Sequence, residues 1–357
     1  MSVKKLSKGE KFGIIKQANW ATPAAATAAY HLCQWVNAGS INPNPDVQVD
    51  QFNVTSQNGI HYEAERFFVD YTSGLPTIPF SGTCEKATMA PFLVGAFQAV
   101  TEADTTPYEK TITCGGLTGP IDFAANAGFL HTIAIRQGAS ADDGVILENA
   151  IIQNLNIAWD LNARGVARLV NMSGAWVGNE LNYEQDATTA DAWANETIAQ
   201  TGFFNNTDTW GTTFSSALLT IGGVIYATEC VRKVELQVNN NVTSNCKTTG
   251  GKANQYDLSP EYKMIVTLDY NSATEKILKD FQVGELSNTM FWSNDPTDAG
   301  GDGKWSITST NMVLVSPPKI YNGDFLGIQL DLRCVSYGAA TPLTMYYTDT
   351  VHWTYGD

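Results

Sequence analysis

The residues that could carry out chemistry are present but not gathered. His31, His61, His131 and His352 are isolated from one another and fit no metal-ligand spacing. The six cysteines, Cys33, Cys84, Cys114, Cys230, Cys246 and Cys334, include no CxxC pair. With no apolar signal segment ahead of them, they are expected as reduced thiols of a product made in the cytoplasm. No GxSxG, Walker A, HExxH or dinucleotide fingerprint occurs. The 36 carboxylates could include a glycosidase pair, yet nothing singles out two of them. Asp295, Asp298 and Asp302, among glycines, have the composition of a cation loop. They lack the EF-hand register and its closing Glu, so a turn is the better reading. The expectation is a protein with no catalysis, metal or cofactor.

Composition narrows the classes further. Hydrophobic residues make up 43% of the chain, enough for a core, but charged residues only 16%, against roughly 25% in ordinary domains. The surface must then be Asn, Thr, Ser, Gln and Gly, as where large areas meet other subunits. Net charge is −15, and no Lys or Arg lies between Arg168 and Arg232. A protein that grips nucleic acid needs clustered cations; this one offers DNA a repelling wall. No apolar run approaches the ~18 residues of a membrane span, so no membrane partner is expected.

The elements that must position any site are mostly strands. Within residues 144–178, Leu155, Ile157 and Trp159 alternate with Asn154, Asn156, Ala158 and Asp160, and a second run places Val166, Arg168, Val170, Met172 and Trp176 on one face. Period-two alternation marks strands with one buried face, and the polar segment around Gly165 reads as a hairpin loop. The other face is Asn, Ala, Ser and Gly, suited to a watery channel or to another subunit. Further strands are expected at 30–41, 60–71, 75–84, 107–114, 129–136, 214–226, 229–239, 261–270, 289–292, 305–315, 325–337 and 343–353.

Two helices interrupt them. Met89, Phe92, Leu93, Ala96 and Phe97 make one apolar face, with Thr88 as N-cap. Ser272 caps a second helix, with Glu275 completing a capping box, Gly284 ending it, and Ile277, Leu278 and Phe281 as its apolar face. The helices overlay at an offset of about 184 residues, and the order of strands around them matches. The reading is a mainly β protein with a duplicated β domain. Residues 1–213 form the first domain, with a basic arm and a long acidic loop at 179–213, and 214–357 form the second. Residues 42–59 and 240–257 read as long polar loops that touch a neighbouring subunit, through Asn42, Asp46, Asp50, Asn53, Asn240, Asn245 and Lys252.

Several segments together resemble the tail tube (major tail) proteins of long-tailed bacteriophages. They are the entry run Gly13-Ile14-Ile15-Lys16-Gln17-Ala18-Asn19-Trp20-Ala21-Thr22, Gly82 leading into Ala90-Pro91-Phe92-Leu93-Val94-Gly95, the 144–178 hairpin, the run 232–240 followed by the Ser272 helix, and the closing Pro342-Leu343-Thr344-Met345-Tyr346-Tyr347. The entry run departs from the family in having Ala21 where glycine is common. The resemblance implies a β-sandwich or half-barrel flanked by a helix, joined between subunits into a β-barrel. Rings would then stack into a virion tube that DNA crosses without specific binding. The partners implied are other copies and other phage tail proteins, after synthesis in the host bacterial cytoplasm. It puts Asn154, Asn156, Asp160, Arg164 and Arg168 on the lumen side of the hairpin. Six domain positions around the lumen would be filled by three two-domain chains, which is favoured over six chains. A β-rich virion adhesin or carbohydrate-binding module, or a glycan-active enzyme, are the alternatives.

Overall fold

The computed structural model describes residues 11–17, 31–33, 35–41, 48–51, 67–70, 75–84, 89–97, 100–103, 108–114, 121–122, 129–136, 144–160, 169–184, 219–226, 231–247, 253–283, 289–293, 304–322, 326–335 and 341–349. The described residues are mainly β, paired antiparallel, with two helices, Met89–Phe97 and Ser272–Val283.

The architecture turns on one strand, Gly144–Asp160. Its first half pairs with His131–Arg136 and Glu180–Glu184, and its second half with Asn171–Val177 and Val231–Asn239. The change of partners falls where the strand is irregular. Asn149 has φ 49°, the register to Asn171–Val177 shifts between Ile152 and Asn154, and a buried amide pair secures the bend. Gln17 Nε2 donates to Asn149 Oδ1, and the Asn149 backbone N–H donates to Gln17 Oε1. Tyr256 Oη donates to the Asn149 carbonyl. Such a bend leaves backbone groups unpaired, and in a buried place they must find side-chain partners.

The wide sheet runs Val36–Ala38, Thr77–Thr83, Asn171–Val177, Gly144–Asp160, Val231–Asn239, Glu261–Asp269, Leu326–Cys334, and then Met312–Leu314 with Lys319–Asn322. A second sheet runs Val224–Tyr226, Leu219–Ile221, Met290–Ser293, Lys304–Ser309, Thr344–Asp349, Tyr108–Thr113 and Val100–Glu102. The two pack through aromatic side chains. Trp159 meets Trp292 at 4.7 Å and Trp305 at 5.7 Å between ring centroids, and Trp305 stacks on Tyr347 at 4.9 Å.

An order of elements occurs twice. Val36–Ala38, Thr77–Thr83, helix Met89–Phe97, the hairpin Val100–Glu102/Tyr108–Thr113, Gly144–Asp160 and Asn171–Val177 make the first unit. Val231–Asn239, Glu261–Asp269, helix Ser272–Val283, the hairpin Met290–Ser293/Lys304–Ser309, the broken strand Met312–Leu314/Lys319–Asn322 and Leu326–Cys334 make the second. Between its first two strands each carries a small hairpin, Gln48–Gln51/Phe67–Asp70 and Thr243–Lys247/Ala253–Asp257. The units lie side by side in the wide sheet in the same strand order, joined by Gly144–Asp160 against Val231–Asn239. Their second-sheet hairpins flank and share Thr344–Asp349. One hydrophobic cluster draws residues from both, so the two units share sheets and core.

The first helix is wedged into the core, with eight of its residues buried. Phe92 lies 5.9 Å from Trp176 and 4.9 Å from Phe80. A Cβ on Gly95 would come within 2.5 Å of Trp176, so glycine is what lets helix and sheet close up. The second helix begins differently from the sequence reading. Its cap is Asn271, whose Oδ1 accepts from the Thr274 N–H while Thr274 Oγ1 accepts from the Asn271 N–H; Ser272 is already helical.

Other sequence expectations are corrected. The run 305–315 is not one strand: Lys304–Ser309 belongs to the second sheet and Met312–Leu314 to the wide one. The chain crosses at Thr310 and Asn311, where Ser309 Oγ donates to the Pro342 carbonyl. The run 30–41 is broken into His31–Leu32 and Val36–Ala38. Residues 240–257 are not an open loop but the hairpin Thr243–Lys247/Ala253–Asp257, which adds Ile121–Asp122 as a third strand. Residues 42–59 likewise contain the strand Gln48–Gln51, and 179–213 begins with Glu180–Glu184. Thr88, Gly284 and the Asp295–Asp302 loop lie outside the described residues.

Candidate functional site

The two faces of the wide sheet are chemically opposite. Side chains on one face of the central strands, Leu155, Ile157, Trp159, Met172, Trp176, Val234, Leu236, Met264, Val266, Leu330 and Leu332, are buried. Their neighbours in sequence point the other way, because a pleated strand alternates its side chains. That outer face carries Asn154, Asn156, Ala158 and Asp160, then Ser173 and Ala175, Glu235 and Gln237, Lys263 and Thr267, Gln329, Asp331 and Arg333. Asn154, Asn156 and Asp160 therefore share one outward face, as the sequence reading placed them. Arg164 and Arg168 lie outside the described residues.

The charges on this face are largely paired off locally. Lys233 bridges Glu235, Arg232 bridges Asp269, and Arg333 Nη2 lies 2.7 Å from Glu261 Oε1. Asp331 accepts from Gln329 Nε2 at 2.8 Å and has Lys319 at 3.9 Å. Exposed pairs of this kind contribute little stability. Between these charges the face carries the amides of Asn154, Asn156 and Gln237, the hydroxyls of Ser173 and Thr267, and the apolar Ala158, Ala175 and Ile265.

At one end of the face lies an open groove of about 750 Å³. Trp35, Asn37, Thr83, Asn156, Asn171 and Glu235 line it. Thr83 Oγ1 donates to Asn171 Oδ1 at 3.4 Å, and Asn171 Nδ2 donates to the Leu169 carbonyl. Asn156 Oδ1 is buried in its floor with no hydrogen-bond partner among the described residues. A Cβ on Gly82 would come within 2.1 Å of the Trp35 carbonyl oxygen, which fixes how closely the segment bearing Trp35 lies on the sheet.

The residues expected on intersubunit loops divide. Asn240 is a correction: it is buried, and its Nδ2 donates to the Ala96 carbonyl at the end of the first helix and to the Ile152 carbonyl. It fastens the second unit to the first rather than reaching outward. Asp50 is in the strand Gln48–Gln51 and Asn245 in Thr243–Lys247. Asn42, Asp46, Asn53 and Lys252 lie outside the described residues.

Several titratable groups lie inside the fold. Burial, reinforced by the nearby Lys16 charge, pushes the His131 pKa down to about 3, so the ring is neutral, 5.2 Å from Trp176. Burial raises the thiols of Cys84, Cys114 and Cys334, the last to about 12, which makes them poor nucleophiles. Lys110 is fully buried yet paired with Glu102 at 3.1 Å and set between the Tyr108 and Tyr347 rings. Among the described residues, no group of three or more His, Cys, Asp or Glu is placed to hold a metal ion, and no helix is long and apolar enough to cross a membrane.

What sequence reasoning missed was the groove and the sheet edges, since both depend on pairings between distant segments. No protein-family model matches the chain, and no curated protein matches it.

Proposed function

We propose that this is a structural virion protein whose copies close into rings, stack, and form the wall of a phage tail tube through which DNA passes. The observation that carries the reading is the wide sheet whose outer face is mostly polar, with charged side chains of both signs, several of them paired with one another. A wall that must let a polyanion slide needs neither cations that hold it nor an apolar surface that collapses. In this reading the two packed sheets are a β-sandwich whose wide sheet joins that of the next copy into a barrel, which removes its open edges. The tail-tube resemblance of the sequence and the paucity of charge point the same way. The protein acts without catalysis or cofactor, and its partners are further copies, other tail proteins and transiting DNA. Three chains per ring is favoured, because each chain carries two like units.

Negative-stain microscopy of the purified protein tests this. Rings or tubes with an open centre are expected, and a chain that stays monomeric at all concentrations would overturn the proposal. The groove with Trp35 favours a second reading, a virion carbohydrate-binding module, since an exposed indole beside amides and hydroxyls suits a sugar ring. Saccharide binding by a monomer that forms no rings would select it.

A further inference from the structure

We propose that the groove on the wide sheet binds a neutral saccharide, with the Trp35 indole as the plane on which a pyranose ring stacks and Asn156 as the acceptor that selects the ring. This rests on the saccharide reading of the groove given above, not on the ring reading. It adds the ligand's charge, its seat and the residue that reads it.

The seat comes from rows of side chains across the strands. Asn37, Ser81, Ser173 and Asn156 stand opposite one another in succession, and Thr83, Asn171, Ala158 and Glu235 do so in the next row. Short side chains in the middle, with Trp35 towards one end and Lys233 and Glu235 towards the other, leave the furrow of about 750 Å³. That volume is in the range of small-ligand sites. One end belongs to the first unit and the other to the second, so the joint inside the chain forms the site.

The backbone fixes where Trp35 stands. Its carbonyl accepts from the Thr83 N–H at 3.1 Å, the Val36 N–H donates to the Cys33 carbonyl at 3.4 Å, and the Cys33 N–H donates to the Phe12 carbonyl at 2.8 Å. Trp35 nevertheless keeps 49% of its surface exposed. A tryptophan left half in water on a segment held this firmly is a preorganised platform, because its backbone is ordered before any ligand arrives. One face of a pyranose carries C–H groups and its rim carries hydroxyls. It can lie with the apolar face on an indole while the rim meets a polar floor.

The walls set the ligand's charge. The charged side chains that line the groove are Lys233 and Glu235, and they bridge each other. A phosphate or carboxylate entering here has to take Lys233 from Glu235 and meets the Glu235 charge. Amides and hydroxyls both donate and accept, as a neutral ring of hydroxyls requires. Asn156 makes the selection. Its Oδ1 is buried in the floor with no hydrogen-bond partner among the described residues, whereas Asn171 in the next row is engaged by Thr83 and by the Leu169 carbonyl. An acceptor shut away from water calls for a donor. A ring hydroxyl or acetamido N–H directed at it supplies one, and a ring with a C–H in that place leaves it unpaired and binds far less well.

The test titrates the full chain by calorimetry with maltotriose, cellotriose and chitotriose, and with the acidic trigalacturonate. At least one neutral chain should bind with a Kd at or below about 1 mM, and trigalacturonate should not bind. Trp35→Ala and Asn156→Ala should each weaken that binding about tenfold or more, while Gln329→Ala, on the same face away from the groove, leaves it unchanged. In parallel, the side-chain N–H signals of Trp35 and Asn156 in isotope-labelled wild-type protein should shift on saturation, which upholds the seat even if a variant does not fold. Binding that neither variant weakens and that leaves those signals in place, or binding of the acidic chain alone, overturns this assignment and leaves the carbohydrate-binding reading standing. No binding by any of these saccharides overturns both. Binding at this seat by protein that also forms rings upholds the assignment and removes the reading as a monomeric module.

Discussion

Helices Met89–Phe97 and Ser272–Val283 stand at the same step of the two units and are built for opposite surroundings. The first has no charged side chain and is buried along its length, packed against Gly144–Asp160 and Lys11–Lys16. The second buries Thr274 and Ile277 and turns Lys276 and Lys279 to solvent, in i,i+4 pairs with Asp280 and Glu275. The difference follows from a layer that, among the described residues, is found only beside the first unit, the strands Lys11–Lys16 and His131–Arg136 beside the long strand. The order of elements repeats, while side-chain chemistry follows what covers each copy. Side chains that differ between the two copies are therefore no argument against the repeat.

The sharpest way to break this comparison is to cut the same position in each unit. Trp159→Ala should destabilise the dilute chain by about 3–5 kcal/mol, since it empties the space between Trp292 and Trp305. Ile320→Ala, in the strand Lys319–Asn322 that takes the place of Gly144–Asp160 in the second unit, should change it by no more than about 0.5 kcal/mol, because the side chain is exposed. Urea denaturation of disassembled protein reads both. A comparable loss from Ile320→Ala would mean that the edge is already covered within the chain.

The layer over the first helix can be loaded by acid. His131 has a folded pKa of about 3 because burial disfavours its charged form; unfolded, it titrates near 6.5. Above that both states are neutral and the group is silent. As pH falls from about 6.5 towards 3, the unfolded chain takes up a proton that the folded chain refuses. Stability should therefore drop across that window, by at most about 4–5 kcal/mol. His131→Phe should remove that one-proton slope from the pH dependence measured by denaturation; an unchanged slope would assign it to other groups.

Next in size is the helix–sheet contact. Gly95→Ala places a methyl against Trp176 and should cost about 1–3 kcal/mol, despite alanine's better helix propensity. If Gly95→Ala stabilises the chain in thermal unfolding, the helix has room to lift and is not wedged.

How much of this could be read from the sequence depended on whether the signal was local. The alternation of Leu155, Ile157 and Trp159 with Asn154, Asn156 and Asp160 gave the two faces of the sheet correctly, because pleat parity needs no partner. Both helices were legible from their apolar spacing. The crossing at Thr310 and Asn311 was not, although the alternation of Trp305 and Ile307 stops at the polar run Thr308-Ser309-Thr310-Asn311 before Met312; a break of this kind does not say which sheet the chain joins next. Asn240 read as a loop residue because its type is polar. Its burial depends on two orphan carbonyls, Ala96 and Ile152, supplied by distant segments. Asn271 and Ser272 are both good caps, and the choice between them was settled by the geometry of Thr274.

The smallest expected effect completes the comparison. Lys279 is the second helix's counterpart of Gly95 at the 184-residue offset, exposed and 3.2 Å from Glu275 across one turn. Lys279→Ala removes an exposed i,i+4 pair worth a few tenths of a kcal/mol and gains about as much from alanine's helix propensity. The net change in the dilute chain should be within about 0.5 kcal/mol, far below that of Gly95→Ala. The assembled protein should respond in the same way. If Lys279→Ala leaves the chain stable but lowers the ring-forming concentration range markedly, the second helix is itself covered in the assembly. Its polar face would then be an interface, and its contrast with the first helix would belong only to the isolated chain.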